Sequence, residues 1–281
     1  MKKNLLDEIG PWSKIKLDII REYSAAYSRI LSTQRNPRFT HIYIDAFAGP
    51  GYHISKQTRE IIPGSPLNAL YVPNPFTEYH FIDIDGDKVE ELKKIVGKRE
   101  NIYIHEGDCN SKLMEEVLPR VPYNKYRRAL CILDPYSINY SWNVIEQIGR
   151  MRSVEIFLNF PTMYINRNVL LKHPEKTSQR QIERMNTFWG DCTWQEAAYK
   201  EDKQLRLFGD ISKTKVPTDL LVEVYRKRLI EIAGFKYVPE PMPMRNTKGA
   251  IVYYLLFATH NITGQKIATD IFRKYSNKGK N

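Results

Sequence analysis

The sequence predicts an α/β fold, with a mostly parallel sheet carrying helices on both faces. Three observations carry this. Short apolar runs rich in Ile, Val, Tyr and Phe recur along the 281 residues, which is how strands buried on both faces read. Stretches with helical spacing of apolar groups alternate with them, the order that builds a parallel sheet. The composition, 42% hydrophobic and 27% charged, is that of an ordinary folded domain. Residues 1–281 are therefore expected to form one domain around one sizeable core.

The elements follow in order. Ile15, Ile19, Tyr23, Ala26 and Ile30 recur at helical spacing, so 13–31 reads as a helix. HIYIDAF (41–47) reads as the first buried strand. In Gly64-Ser65-Pro66, Ser65 reads as a helix cap and Pro66 as the first helical residue. EYHFID (78–83), NIYIHEGD (101–108), ALCILD (129–134) and VEIFLNF (154–160) read as strands two to five, with helices at 87–96, near 111–118 and near 142–151. A helix over 219–233 has Leu221, Val224, Tyr225 and Leu229 on one side. FKYV (235–238) and AIVYYLLFAT (250–259) complete seven strands. The link between these two is too short for a crossover helix, so the last strand is expected to be antiparallel. Residues 162–218 are polar and broken, and read as a helical insertion over the ligand face, packed down by Phe188, Trp189 and Trp194.

Composition excludes some functions. No apolar run approaches the ~20 residues of a membrane span, and Asp7 and Glu8 break the start as a secretory signal. Cys109, Cys131 and Cys192 lie far apart with no CxxC spacing. They point to neither a disulfide framework nor a metal site, and suggest a reducing, cytoplasmic home. The six histidines share no metal-ligand spacing. A net charge of +11 favours a polyanionic partner, nucleic acid first. The bases concentrate in residues 1–40 (eight Lys/Arg against four Asp/Glu), in RVPYNKYRR (120–128) and in the tail 265–281.

The chemistry gathers at the carboxyl ends of the strands, where open α/β sheets bind ligands. Strand one ends on Asp45, then Phe47-Ala48-Gly49-Pro50-Gly51. Strand two ends on Asp83 and Asp85, strand three on Gly107-Asp108-Cys109-Asn110, strand four on Asp134-Pro135-Tyr136 and strand five on Asn159-Phe160-Pro161. Small residues after strand one let a ligand lie against the backbone. An acid after strand two is placed for ribose hydroxyls. The loop is not GxGxxG, and thirteen residues (52–64) separate Gly51 from the next helix start. A pyrophosphate needs that helix end close by, so an NAD site is disfavoured. A ligand with a nucleoside and no phosphate, such as S-adenosylmethionine, fits better. Asp83 and Asp85 point to opposite sides of an extended segment and make a poor metal pair.

The series DAFAGPG, FIDID, HEGDCN and LDPY resembles, in order, the motifs of class I S-adenosylmethionine-dependent methyltransferases. More narrowly, PWSKIKLDII, YIDAFAGPG, GSPLNAL, GDCN, LDPYS, FWGDCTW and YYLLFATH resemble the three-Cys-motif partner proteins, over residues 10 to 270. The resemblance implies a Rossmann-like class I methyltransferase fold with S-adenosylmethionine as cofactor, and a separate three-Cys-motif protein as partner. Longer relatives carry a C-terminal winged-helix module, expected to be absent here.

Carried over residue by residue, the resemblance implies that Asp45, Phe47, Gly49, Pro50 and Gly51 form the motif around the methionine part and ribose. Asp83 is the ribose acid, with Asp85 as a second candidate. Asp108 accepts from the adenine amine, and Cys109 flanks the ring. Trp12 and Lys16 approach the cofactor carboxylate. Asp134, Pro135 and Tyr136 occupy the catalytic loop. Enzymes that methylate nucleobase amines have Asp/Asn-Pro-Pro-Tyr/Phe there, in which an acceptor and an aromatic ring hold a flipped base. This chain is one proline shorter, so Tyr136 is either a stacking ring or a residue packed inside a turn. Two functions follow: a methyltransferase acting on a nucleic acid or nucleotide-like acceptor, or a binding subunit of a second protein without transfer of its own.

Overall fold

A computed structural model describes residues 6–201 and 213–278. In chain order the elements are β1 (Asp7–Ile9), α1 (Pro11–Thr33), β2 (Thr40–Asp45), β3 (Tyr52–Ser55), β4 (Ile61–Pro63), α2 (Ser65–Leu70), β5 (Glu78–Asp83), α3 (Gly86–Val96), β6 (Ile102–Glu106), α4 (Cys109–Lys112), β7 (Arg127–Leu133), α5 (Trp142–Met151) and β8 (Val154–Phe160). Then come α6 (Thr162–Asn168), α7 (Gln179–Trp189), α8 (Trp194–Ala198), β9 (Tyr199–Glu201), β10 (Lys213–Lys215), α9 (Thr218–Glu231), β11 (Met242–Arg245), β12 (Ile251–Ala258) and α10 (Ile262–Lys278).

Seven strands form the central sheet in the order β11-β12-β8-β7-β2-β5-β6. β6, β5, β2, β7 and β8 run parallel. β12 lies antiparallel between β8 and β11. This is the Rossmann-like class I methyltransferase fold, and the strand order reverses between β2 and β7. The inner strands are apolar over most of their length because helices cover both faces. One core layer gathers Ile42, Ile44, Cys131 and Leu133 with α5 and α9. The other gathers Tyr43, Phe81, Phe157 and Phe257 with α1, α3 and α10.

Several expectations shift. The sixth strand is Met242–Arg245, not 235–238. Tyr237 makes only an isolated bridge to Thr259, while β11 sits at the sheet edge, where Pro243 needs no ladder donor. Ser65 lies inside α2 and Gly64 caps it. On α9, Val222 is buried and Val224 is exposed. The basic tail forms α10, which packs against α1 through buried Ala268, Ile271 and Phe272. The insertion contains α6, α7, α8 and the β9–β10 pair, with Phe188, Trp189 and Trp194 buried. Its residues 202–212 lie outside the described residues. Among the described residues no helix is long and apolar enough to cross a membrane.

Candidate functional site

A cleft of about 1070 Å³ opens over the carboxyl ends of the parallel strands. Its volume lies at the upper end of the ~300–1,000 Å³ of small-molecule sites. Trp12, Lys16, Phe47, Gly49, Asp83, Asp85, Asp108, Cys109, Asp134, Pro135 and Tyr136 all line it.

On one half, the loop after β2 turns back through Gly49 at φ +64°, and no atom lies within 4 Å of where its Cβ would stand. Its N–H donates to Asp83 Oδ2 at 2.8 Å, and the Asp85 N–H donates to Asp83 Oδ1 at 2.9 Å. The Asp83 carboxylate thus fixes both loops and keeps a second lone pair on each oxygen. Asp85 caps α3 by accepting from the Asp87 N–H at 3.1 Å. Asp108 caps α4, its Oδ1 accepting from the amides of Asn110 and Ser111. Ile84, between the two acids, is 74% exposed and faces the cleft. Cys109 and Ile138, both nearly buried, also line the cleft. Burial pushes the Cys109 thiol up to about 12, so it stays an uncharged contact.

Three expected residues do not reach the cleft surface. Asp45 is fully buried beneath it. Its Oδ1 accepts from the Phe47 N–H at 3.1 Å. Burial pushes this carboxyl up to about 7, against the pull of the Ser65 hydroxyl, the Phe47 amide and Lys16. Pro50 is buried. Gly51, at φ +95°, turns toward α3, where a Cβ would meet Leu92 at 3.1 Å. Gly51 therefore serves packing, while Gly49 faces the open cleft. The helix end expected to be remote is also close. β3 and β4 form an antiparallel hairpin that returns Gly64 to within 2.7 Å of the Gly51 carbonyl. The site still disfavours a pyrophosphate, because Pro66 lacks an N–H and the Asp83 carboxylate stands beside the Gly49 loop.

At the boundary between the two halves, Lys16 of α1 reaches Asp134 at the end of β7 and forms an ion pair with Oδ2. Asp134 Oδ1 accepts from Asn159 Nδ2 at 3.1 Å, and that amide also reaches the Pro135 carbonyl at 3.4 Å. Asn159 Oδ1 is buried without a partner. Tyr136 is 77% exposed and lines the cleft, so it is not packed inside a turn.

Sequence reasoning missed several lining residues. β1 pairs with β3 and brings Asp7 and Glu8 over the site, where Asp7 accepts from Lys88 at 2.6 Å. His53 lines the cleft with a buried, unpartnered Nδ1, and burial, helped by nearby Lys16, lowers its pKa. Arg184 of α7 donates to Ser137 Oγ at 3.0 Å and to Asn139 Oδ1 at 2.7 Å, and also bonds the Tyr164 hydroxyl. This ties the insertion to the loop after Asp134.

Among the described residues no group of three His, Cys, Asp or Glu side chains is placed to hold a metal ion. No family model matches the sequence, and no curated protein matches it. Solved structures resemble it. Protein LPL1258 from Legionella pneumophila is 14% identical, with 94% of this chain and 93% of that one covered at a TM-score of 0.48. A putative S-adenosylmethionine-dependent methyltransferase from Listeria monocytogenes is 12% identical, with 85% and 98% covered at 0.41. The plantazolicin methyltransferase BamL, solved with a triazolic desmethylPZN analogue and SAH, is 10% identical, with 89% and 91% covered at 0.35. The likeness lies in the path of the chain.

Proposed function

We propose that this protein is an S-adenosylmethionine-dependent methyltransferase acting on a nucleotide-like acceptor. The observation that carries the reading is one cleft with two unlike halves. One half has an open glycine, a ribose-height carboxylate and an exposed aliphatic side chain. The other has an ion-paired aspartate beside an exposed tyrosine ring.

When bound, S-adenosylmethionine supplies an electrophilic methyl group on sulfur. Asp83 would accept from the ribose hydroxyls through its remaining lone pairs. Asp108 would accept from the adenine amine, with Ile84 and Cys109 contacting the ring. Gly49 leaves space for the ligand beside the backbone. Lys16, with neutral His53 nearby, would hold the carboxylate of the amino-acid part. Asp45, protonated up to about pH 7, supports the loop from below. Asp134 would accept a hydrogen bond from the acceptor's N–H or O–H and aim its lone pair, while Tyr136 stacks on the ring. Rate enhancement would come from holding two reactants in register.

Release of S-adenosylhomocysteine on incubation with cellular RNA, DNA or nucleotides tests the reading. Turnover with any of these, lost in Asp134→Ala, supports it. Cofactor binding with no product from any pool would favour a second reading, a subunit that works beside a three-Cys-motif protein. The occupied Asp134 carboxylate, held by both Lys16 and Asn159, is the observation that favours this alternative.

A further inference from the structure

The insertion contributes Met163, Tyr164, Arg167, Asn168, Arg180 and Arg184 to the cleft wall. That is three arginines and no carboxylate. The cleft's acids, Asp7, Glu8, Asp83, Asp85, Asp108 and Asp134, all come from outside the insertion. The three arginines line the same cleft. Arg180 and Arg184 are four residues apart on α7 and share a face. Arg167 is three residues from Tyr164 on α6, and the Tyr164 ring lies under the Arg184 guanidinium at 5.4 Å.

The arginines differ in what they already do. Arg184 spends its donors on Tyr164, Ser137 and Asn139. Arg167 and Arg180 are exposed, and no carboxylate among the described residues pairs with either. Arg180 also stands in the first turn of α7, which contains no acid. A cation there faces the positive end of the helix dipole, the unfavourable arrangement. Two like charges with no carboxylate partner among the described residues, in one cleft with a third and one of them against a helix dipole, form a wall that an anion relieves. In the same cleft stands the exposed Tyr136 ring. Guanidiniums beside a stacking ring match a base and its phosphate.

We propose that Arg167 and Arg180 bind a backbone phosphate of a single-stranded nucleic acid whose neighbouring base stacks on Tyr136. This rests on the reading of the cleft as a methyltransferase site. A single strand fits because its base reaches Tyr136 without the cost of leaving a duplex stack. Arg184 acts as a positioning residue that holds the arginine-bearing roof on the Asp134 loop.

The test is binding of short fluorescein-labelled single-stranded RNA and DNA of mixed sequence across a salt series. Arg167→Ser with Arg180→Ser is compared with Lys125→Ser with Lys248→Ser, which removes equal charge outside the cleft. The arginine pair should weaken binding about tenfold and reduce the slope of log affinity against log salt by about 0.7, the share of one phosphate on a single strand. The lysine pair should change affinity much less. Equal loss in both variants, or no loss in the arginine pair, overturns the proposal. S-adenosylmethionine affinity is measured on each variant. Retained affinity shows that the cleft is folded. If the serine variant loses it, Arg167→Lys with Arg180→Lys decides: that variant must keep most of the oligonucleotide binding. A wild-type protein that binds oligonucleotide but not the cofactor would overturn the methyltransferase reading and leave the phosphate site standing.

Discussion

Lys16 and Asp134, 118 residues apart in sequence, form a partly buried ion pair at the centre of the cleft. The side chains are 10% and 25% exposed. The pair joins two groups assigned from sequence to different reactants, one to the cofactor carboxylate and the other to the acceptor. Lys16 also lies 5.5 Å from the centre of the Tyr253 ring, so it keeps a second favourable contact when Asp134 is removed.

Asp134→Ala is therefore expected to leave cofactor affinity within about threefold of the parent and to abolish transfer. Lys16→Met should weaken cofactor binding about tenfold or more. It should also destabilise the protein by about 1–3 kcal/mol, because a partly buried carboxylate loses its counter-charge. Titration of each variant with S-adenosylmethionine, with denaturant unfolding alongside, checks both. Equal loss of cofactor binding in the two variants would contradict the division of roles.

Asp83 holds the Gly49 loop and the start of α3 with one carboxylate. Asp83→Asn keeps an acceptor and should bind the cofactor more weakly by about tenfold. Asp83→Ala, which frees two backbone amides, should bind at least about a hundredfold more weakly, each tenfold being ~1.4 kcal/mol. Equal affinities for the parent and the alanine variant would remove Asp83 from the site.

Gly64 is held against the Gly51 carbonyl, which a Cβ at Gly64 would meet at 2.9 Å, with His53 Nε2 at 3.1 Å. Gly64→Ala should separate the hairpin base from the glycine loop, lowering stability by about 1–3 kcal/mol and cofactor affinity with it. Calorimetric unfolding and ligand titration on that variant give both numbers.

Glu155, on β8, accepts from the Tyr23 hydroxyl at 2.5 Å and the Thr259 hydroxyl at 2.8 Å. Burial raises its carboxyl from an ordinary 4.5 to about 7. Between these values the folded protein holds a proton that the unfolded chain has lost. Stability should fall as pH rises from about 4.5 to about 7 and level off above. The contribution is on the order of 3 kcal/mol at most. Asp45, raised by burial to about 7, acts in the same direction. Glu155→Gln should flatten the slope in part, leaving the Asp45 share. An unchanged slope in that variant would contradict this account of Glu155.

The parallel strands were legible because each is a continuous apolar run closed by Asp or Asn. The acids Asp83, Asp108 and Asp134 were legible for the same reason. Which acid faces the ligand was not. Strands buried on both faces carry no polar alternation to fix the facing of a side chain, so Asp45 looked equivalent to Asp83 and lies in the core instead. β11 was hidden by Pro243, which an edge strand tolerates. β1 was hidden because its partner, β3, lies more than forty residues away. Arg184 and Arg180 sat in a polar stretch whose spacing gave no sign that α7 turns one face to the cleft.

If the cleft is a cofactor site, it holds S-adenosylmethionine against Asp83. Calorimetric titration of the full chain with S-adenosylmethionine, with NAD as control and Asp83→Ala as the site check, tests it most directly. About micromolar binding of S-adenosylmethionine, an affinity of roughly −8 kcal/mol, is expected, lost in the variant and absent for NAD. Binding of NAD in its place, or S-adenosylmethionine binding indifferent to Asp83, would contradict it.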